Sequence, residues 1–464
     1  MYKAPGITGS LLVFALAACS GDSTTATDAT TDGGSTGGET TAGTTAGTVE
    51  TTAGPATGGS TGETGGATEM TVGTSSGSVT TGATEGATTA GATTEGATTE
   101  GATTAGATET GGETEGDGWA LPACDEIGGA PGFGFGPDEG ATITPSPEPL
   151  PPGKTYTHGL AALEAPGVLV MEHAATVYRS TDAGCGWETL GVIDWTPTFI
   201  TAGVDEHAWI WSDNASTLVH VDGATLEPLI SPVANIKGLG ADPDDAMRIR
   251  IGDGSGGLQE SPNGGALWMK IGTPAPVGVL NYRAAFDPAD LDHALFGGAQ
   301  VGFYVTFDGG GQWQQSTFVG AEDHVINGFD AVVSAADGDV VWALGLDITD
   351  ADADPDFTGR RLYRSEDGGL SFTPVVQQGA PNNDVILTNG TRIVAHPDDA
   401  DILYFVFGTC FSGYGTNLYR YDAGDDSLTW HNHPYADFGQ LAVSPADPTF
   451  LYVGIDGDDN PQCP

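Results

Sequence analysis

From residue 118 onward the chain is a succession of short apolar runs divided by clusters of Gly, Pro, Asp and Ser. Ile393-Val394-Ala395, Ile402-Leu403-Tyr404-Phe405-Val406 and Val340-Val341-Trp342-Ala343-Leu344 are short and rich in β-branched and aromatic residues, so they predict strands. Two kinds of turn punctuate them. The first contains proline: Asp242-Pro243-Asp244-Asp245, Asp287-Pro288-Ala289-Asp290, His396-Pro397-Asp398-Asp399 and Ser444-Pro445-Ala446-Asp447. A worn copy, Ser334-Ala335-Ala336-Asp337, fills the long gap between the second and third.

The second kind runs Ser or Thr, any residue, Asp or Asn, any residue, Gly, two residues, aromatic. Its copies are Ser180, Asp182, Gly184 and Trp187; Ser261, Asn263, Gly265 and Trp268; Thr306, Asp308, Gly310 and Trp313; and Ser365, Asp367, Gly369 and Phe372. The carboxylate or amide accepts N–H groups of its own turn, and Gly supplies positive φ. Strand-like runs flank each copy, as Arg361-Leu362-Tyr363-Arg364 and Phe372-Thr373-Pro374-Val375-Val376 do, which predicts an antiparallel hairpin.

This phrase resembles the Asp-box, or BNR, repeat of sialidase-like β-propellers. The resemblance implies an all-β propeller of four-stranded blades, with the proline turn joining the inner strands and the Asp box the outer pair. Counting these units gives six complete blades, starting with 157–190 and a degenerate 197–228, and an inner fragment at 440–456. Gly132-Phe133-Gly134-Phe135 and Ala141-Thr142-Ile143-Thr144, around the worn box Pro137-Asp138-Glu139-Gly140, supply the missing outer hairpin. The expectation is therefore seven blades, the last completed by N-terminal strands, which removes free sheet edges.

The N-terminal residues add no strand pattern. In residues 1–19 an apolar run, Ile7 to Ala18, follows Lys3 and ends in Leu16-Ala17-Ala18-Cys19, which resembles a lipoprotein signal peptide and lipobox. That implies acylation of Cys19, anchoring in a membrane through lipid, and, with Ser20 following, the outer membrane of the cell envelope. Residues 20–117 are Thr, Gly, Ala and Glu without Lys or Arg, a composition that predicts a disordered linker spanning roughly 55 Å. The domain at 118–464 keeps 48 carboxylates against 12 Lys plus Arg. Such acidity disfavours nucleic acid as a partner, and nothing in the pattern calls for an oligomer.

Beyond Cys19 there are four cysteines, an even number suited to disulfides in an oxidising compartment. Cys410 with Cys463 and Cys124 with Cys185 is one pairing; Cys124 with Cys463 is the rival. No nucleophile elbow, HExxH or Walker motif is present, and no cofactor is implied. Asp350, Asp352, Asp354 and Asp356 alternate in an expected loop, where Asp350, Asp352 and Asp354 are weak calcium candidates. His431 and His433 alternate on a strand and could form a metal pair. Arg283, Arg392 and Gln440 stand five residues before a turn proline and Lys237 six before, with His158 in the comparable place of the first blade. These positions open the central channel, where they could hold a carboxylate or carbonyl ligand.

Sialidases combine an arginine cluster with a Tyr–Glu pair and an Asp acid, none of which this chain supplies by motif. Its character is closer to non-catalytic propellers such as photosystem assembly-factor-like and sortilin-like proteins. The expected function is a surface lipoprotein whose propeller binds a peptide, protein or glycan ligand at its channel face. The alternative, a sialidase-like glycoside hydrolase, needs two carboxyl groups flanking the channel. The anchor is directly testable: Cys19→Ala should shift the protein from the membrane to the soluble fraction or leave uncleaved precursor, and unchanged fractionation with normal processing would overturn it.

Overall fold

A computed structural model describes residues 128–194, 197–278, 280–353, 358–379, 385–409 and 415–457. The signal segment with Cys19, the linker, Cys124, Cys410, Cys463, Asp354 and Asp356 lie outside the described residues.

Strands pair with their chain neighbours in antiparallel meanders of four. The first comprises Thr157–Ala162, Leu169–His173, Thr176–Ser180 and Glu188–Val192. Phe199–Ala202 to Thr225–Pro228 and Ile236–Ala241 to Met269–Ile271 make the next two, and Ile393–Ala395 to Ser427–His433 a later one. Between them a nine-stranded sheet holds two meanders, joined by a single parallel bridge from Gly302 to Asn327. Thr317–Phe318 adds to its far edge, parallel to Ser371–Gln377.

The last sheet is built from both ends of the domain. Leu451–Ile455 pairs on one side with Phe438–Val443 and on the other with Phe133–Gly136, which carries Thr144–Pro145 outside it. The upstream hairpin thus completes the final sheet. Packing runs round in the same order. Phe133, Ala442 and Tyr452 of this last sheet share a core with Leu160, Leu169 and Met171 of the first. Leu441 and Leu451 meet Tyr404 and Leu418 of the sheet before. The sheets therefore form a closed ring of blades, a β-propeller.

Burial explains the strand sequences. Leu169–His173, Ile249–Asp253, Ala294–Gly298 and Leu451–Ile455 are second strands, covered on both faces by neighbouring sheets, so they read as unbroken buried runs. The outermost strand Glu188–Val192 is largely exposed.

The repeated Ser-x-Asp turns hold the blades' ends. In the first, Ser180 Oγ accepts the Gly184 N–H at 2.9 Å and donates to Asp182 Oδ1 at 2.8 Å, which also accepts the Gly186 N–H at 2.8 Å. The turns at Ser261, Thr306 and Ser365 repeat this geometry. Each needs two successive left-handed residues, with φ of 68° and 102° at Gly264 and Gly265. Ala183, at φ 58°, takes the first of these places without glycine's freedom. The same left-handed residue ties the outer turn to the inner turn of its own blade. Ala183 N–H donates to Gly167 O at 2.8 Å, Gly309 N–H to Asp292 O at 3.0 Å, and Gly368 N–H to Asp339 O at 2.8 Å. In the worn turn Glu139 N–H donates to Thr449 O at 2.8 Å. These turns are structural clasps.

One expected loop is a helix. Ile348–Ala353 is a single helical turn and a half, begun by Asp347, whose Oδ1 accepts the Asp350 N–H at 3.0 Å.

Phe133 tests the closure. It is fully buried, with Trp187 edge-on at 4.8 Å and Tyr452 stacked at 6.1 Å. Phe133→Ala should cost about 3–5 kcal/mol in chemical denaturation. A loss under about 1 kcal/mol would show that the upstream strand does not secure the ring.

Candidate functional site

Each inner strand ends at a turn closed by one backbone bond, such as Asp287 N–H to His293 O at 3.1 Å or His396 N–H to Ile402 O at 3.1 Å. Counting four residues back from the closing residue defines one equivalent position round the ring. It holds Gly159, Phe199, Gly238, Arg283, Asp330, Arg392 and Gln440 in blade order. At Gly238 the inner strands come so close that a Cβ would lie 1.9 Å from Ala284 O, so only glycine fits.

Five inner strands change register just before this position, between Thr157/Gly159, Ile236/Gly238, Asn281/Arg283, Gly328/Asp330 and Phe438/Gln440. The extra residue of such a bulge re-aims its side chain. His158 and Lys237 are those extra residues, so they stand one place before the ring that Arg283, Arg392 and Gln440 occupy. The sequence spacing already set Lys237 one residue before Arg283, Arg392 and Gln440; it set His158 level with them, and the bulge moves His158 to the level of Lys237.

The structure brings Arg283 and Arg392 together around one aromatic ring, with Lys237 near Arg283. The Arg283 guanidinium lies 3.9 Å from the Phe199 centroid and that of Arg392 lies 4.8 Å from it. Phe199 itself stacks on Trp211 at 4.6 Å. Arg283 Nη1 is 3.1 Å from Asp213 Oδ2, and Lys237 Nζ donates to the Asp213 carbonyl at 3.3 Å. Gln440 Nε2 donates to the His158 carbonyl. Burial, then Arg392, pushes His158 down to about 4, so its ring is neutral. Burial lowers Lys237 and Arg392, and the like charge of Arg283 lowers Arg392 further.

Carboxyl groups that the motifs did not mark share this space. Burial raises Asp330 although Arg283 and Arg392 oppose it. Burial also lifts Glu172 to about 7 and Asp437 to about 6, and carries Asp456 well above the usual carboxylate range. Each is held by backbone: Ala175 N–H to Glu172 Oε1 at 2.5 Å, Phe438 N–H to Asp437 Oδ1 at 2.9 Å, and Thr157 N–H to Asp456 Oδ1 at 2.8 Å. Thr198 Oγ1 adds a bond to Glu172 Oε2 at 3.0 Å. Asp330 had a signal: it stands five residues before Ala335 in the worn turn, as Arg283 stands before Pro288.

The acidic run gives a different arrangement from the alternating calcium loop. On the short helix Asp350 and Asp352 point to different sides, and Asp352 is exposed while Asp350 joins His324 and Asp347. His324 Nδ1 is 2.7 Å from Asp347 Oδ2, Arg361 Nη1 lies 2.8 Å from the same oxygen, and Arg361 also bonds Asp350. Arg361 supplies the positive charge there. His431 and His433 alternate along a strand with no register shift and so share one face, His431 exposed and His433 buried against Phe438. Cys185 is disulfide-bonded.

No family profile matches the chain. It is 38% identical over 341 residues to the dispase autolysis-inducing protein of Streptomyces mobaraensis, covering 73% of this chain and 90% of the relative. Among solved structures it resembles YCF48 bound to D1 peptide, at 11% identity and a TM-score of 0.45, over 72% of this chain and 99% of that one. The GH74 enzyme of Niastella koreensis matches at 18% identity and a TM-score of 0.41, over 54% of this chain; the match spans only 35% of that enzyme's length.

The buried carboxyl groups give a pH prediction. Glu172, 1% exposed, is raised from 4.5 to about 7, so the stability it contributes is whole below about 4.5 and is lost as pH rises through about 7. Glu172→Gln removes that loss. The melting temperature of the variant minus that of the parent should grow between about pH 5 and pH 8, matching about 3 kcal/mol. A difference that stays flat across that range would show that Glu172 is ionised in the fold.

Proposed function

The chain belongs to the family of the dispase autolysis-inducing protein, and from that membership we propose that it is an envelope-anchored propeller that acts by binding a protein. The observation that carries this reading is 38% identity sustained over 73% of the chain. The relative's name says that it induces autolysis of dispase. In autolysis the target performs its own cleavage, so an inducer needs a recognition surface and no hydrolytic centre. The partner inferred for this chain is likewise a protein that cleaves itself, met outside the cell.

The rest of the reading fits around that. Nine strands of the widest sheet count as two blades plus one added strand, which gives seven blades in the ring. Their clasp turns fit the Asp-box class of sialidase-like propellers. Lipid on Cys19 would hold the protein at the outer membrane, and residues 20–117 would carry the propeller away from the surface. The channel face, with Phe199, Arg283 and Arg392, offers an aromatic and cationic contact on an otherwise acidic domain.

A second reading, a glycoside hydrolase, is favoured by one observation: Glu172 and Asp437 hold carboxyl groups at about 7 and about 6, the range useful to a general acid. Binding remains the first reading because backbone donors engage both groups.

Incubating the full-length protein with dispase decides between them. Faster appearance of dispase fragments, a complex seen on gel filtration, and no sugar released from a polysaccharide panel are expected. No complex and no acceleration would overturn the protein-binding reading, and sugar release lost in Glu172→Gln would establish the hydrolase.

A further inference from the structure

We propose that the channel mouth binds a carboxylate of a peptide, received by the guanidinium of Arg392. This rests on the protein-binding reading above and narrows it to one chemical group.

Among the described residues, the other arginines have oxygen partners. Arg179 meets Glu188 and Glu206, Arg250 meets Glu260 and Asp292, and even Arg360 reaches Asn389. Arg392 makes no ion pair or hydrogen bond among them; its close contact is the Phe199 ring. It is half-buried, so solvent still reaches it. A guanidinium lying over an aromatic ring keeps its N–H edge available, and that edge matches a carboxylate in two parallel bonds.

The same structure shows what the occupied state looks like. Arg283 lies over the same Phe199 ring and meets a carboxylate, Asp213, at 3.1 Å. Arg392 repeats the stacking without the carboxylate. A ligand carboxylate at Arg392 would be the counterpart of Asp213 at Arg283.

The surrounding charges decide how strongly it is held. Arg283 and Lys237 favour an anion; Asp213, Asp330, Asp437, Asp456 and Glu172 oppose one, and His158 is neutral. Asp437 and Asp456 keep their protons to unusually high pH because they are buried. Affinity should therefore rise as pH falls from about 7 to about 5, while a peptide carboxylate remains ionised. A peptide is favoured over an acidic sugar because the family's named action is on a protein. Peptide-bond hydrolysis adds water across the C–N bond and leaves one carboxylate and one amine, so a self-cleaving partner would supply such ends.

The full-length protein would be titrated with tri-alanine, with its C-terminal amide, with an N-acetylglutamate α-amide carrying only a side-chain carboxylate, and with galacturonate. Tryptophan fluorescence gives the readout, since Trp211 stacks on Phe199. Saturable binding of tri-alanine with loss in its amide assigns a chain terminus; binding of the glutamate compound assigns an acidic side chain. Either supports the proposal. Arg392→Gln should weaken binding at least tenfold, Arg392→Lys should weaken it with the fold intact, and Arg364→Gln, whose guanidinium is paired with Glu366 and Asp401, should leave it unchanged. Equal binding of acid and amide, binding of galacturonate alone, or parental affinity in Arg392→Gln would overturn the site. Because small peptides report on the channel directly, failure here is distinct from failure to act on dispase.

Discussion

Pairing between Phe133–Gly136 and Leu451–Ile455 is the interaction on which the other packing depends. A row of four-stranded sheets has two open ends, each presenting apolar faces and unpaired backbone. Here one strand from the start of the domain enters the last sheet, and its Phe133 packs into the core shared with the first. Every sheet then has a neighbour on both faces. The second strands can be buried along their whole length for that reason alone, since no face of theirs meets water.

Closure also sets the chemistry of the middle. Inner strands converge closely enough that Gly238 has no room for a side chain, and the bulges beside it re-aim the neighbouring side chains. Groups gathered there lose water before they gain partners. Burial consequently dominates the protonation of Glu172, Asp437 and Asp456, overriding the nearby Arg392 for the last two. Keeping protons is how the fold tolerates so many carboxyl groups in one channel. The charge count overstates the field a ligand would meet.

The hairpins, the two kinds of turn and the upstream completion were legible in the sequence because each depends on local chemistry: Asp or Asn with Gly in a turn, or apolar runs of strand length. Arg283, Arg392 and Lys237 were legible as a cluster through their common spacing from turn prolines. What escaped was set by pairing. A bulge cannot be seen until two strands are in register, so the one-residue offset of Lys237 had no visible cause and His158 was set one place too far along its strand. Asp213, Asp437 and Asp456 lie in loops whose positions follow from the ring, and no spacing marks them. Asp350 and Asp352 read as an alternating loop because the cap that makes it a helix, Asp347, looks like one more member of the acidic run.

Phe133–Gly136 has a kinetic side as well. It leaves the synthesis machinery long before Leu451–Ile455, so it must wait unpaired until nearly the whole domain has emerged. Non-local pairing of this kind slows folding and leaves a sticky strand exposed meanwhile. The strand reads Phe-Gly-Phe-Gly, and Gly134 sits where a Cβ would come within 3.0 Å of Val453 and Ile143 side chains. Glycine is a poor strand former in isolation. The alternation that lets this strand fit the finished ring therefore also weakens its tendency to pair prematurely while it waits.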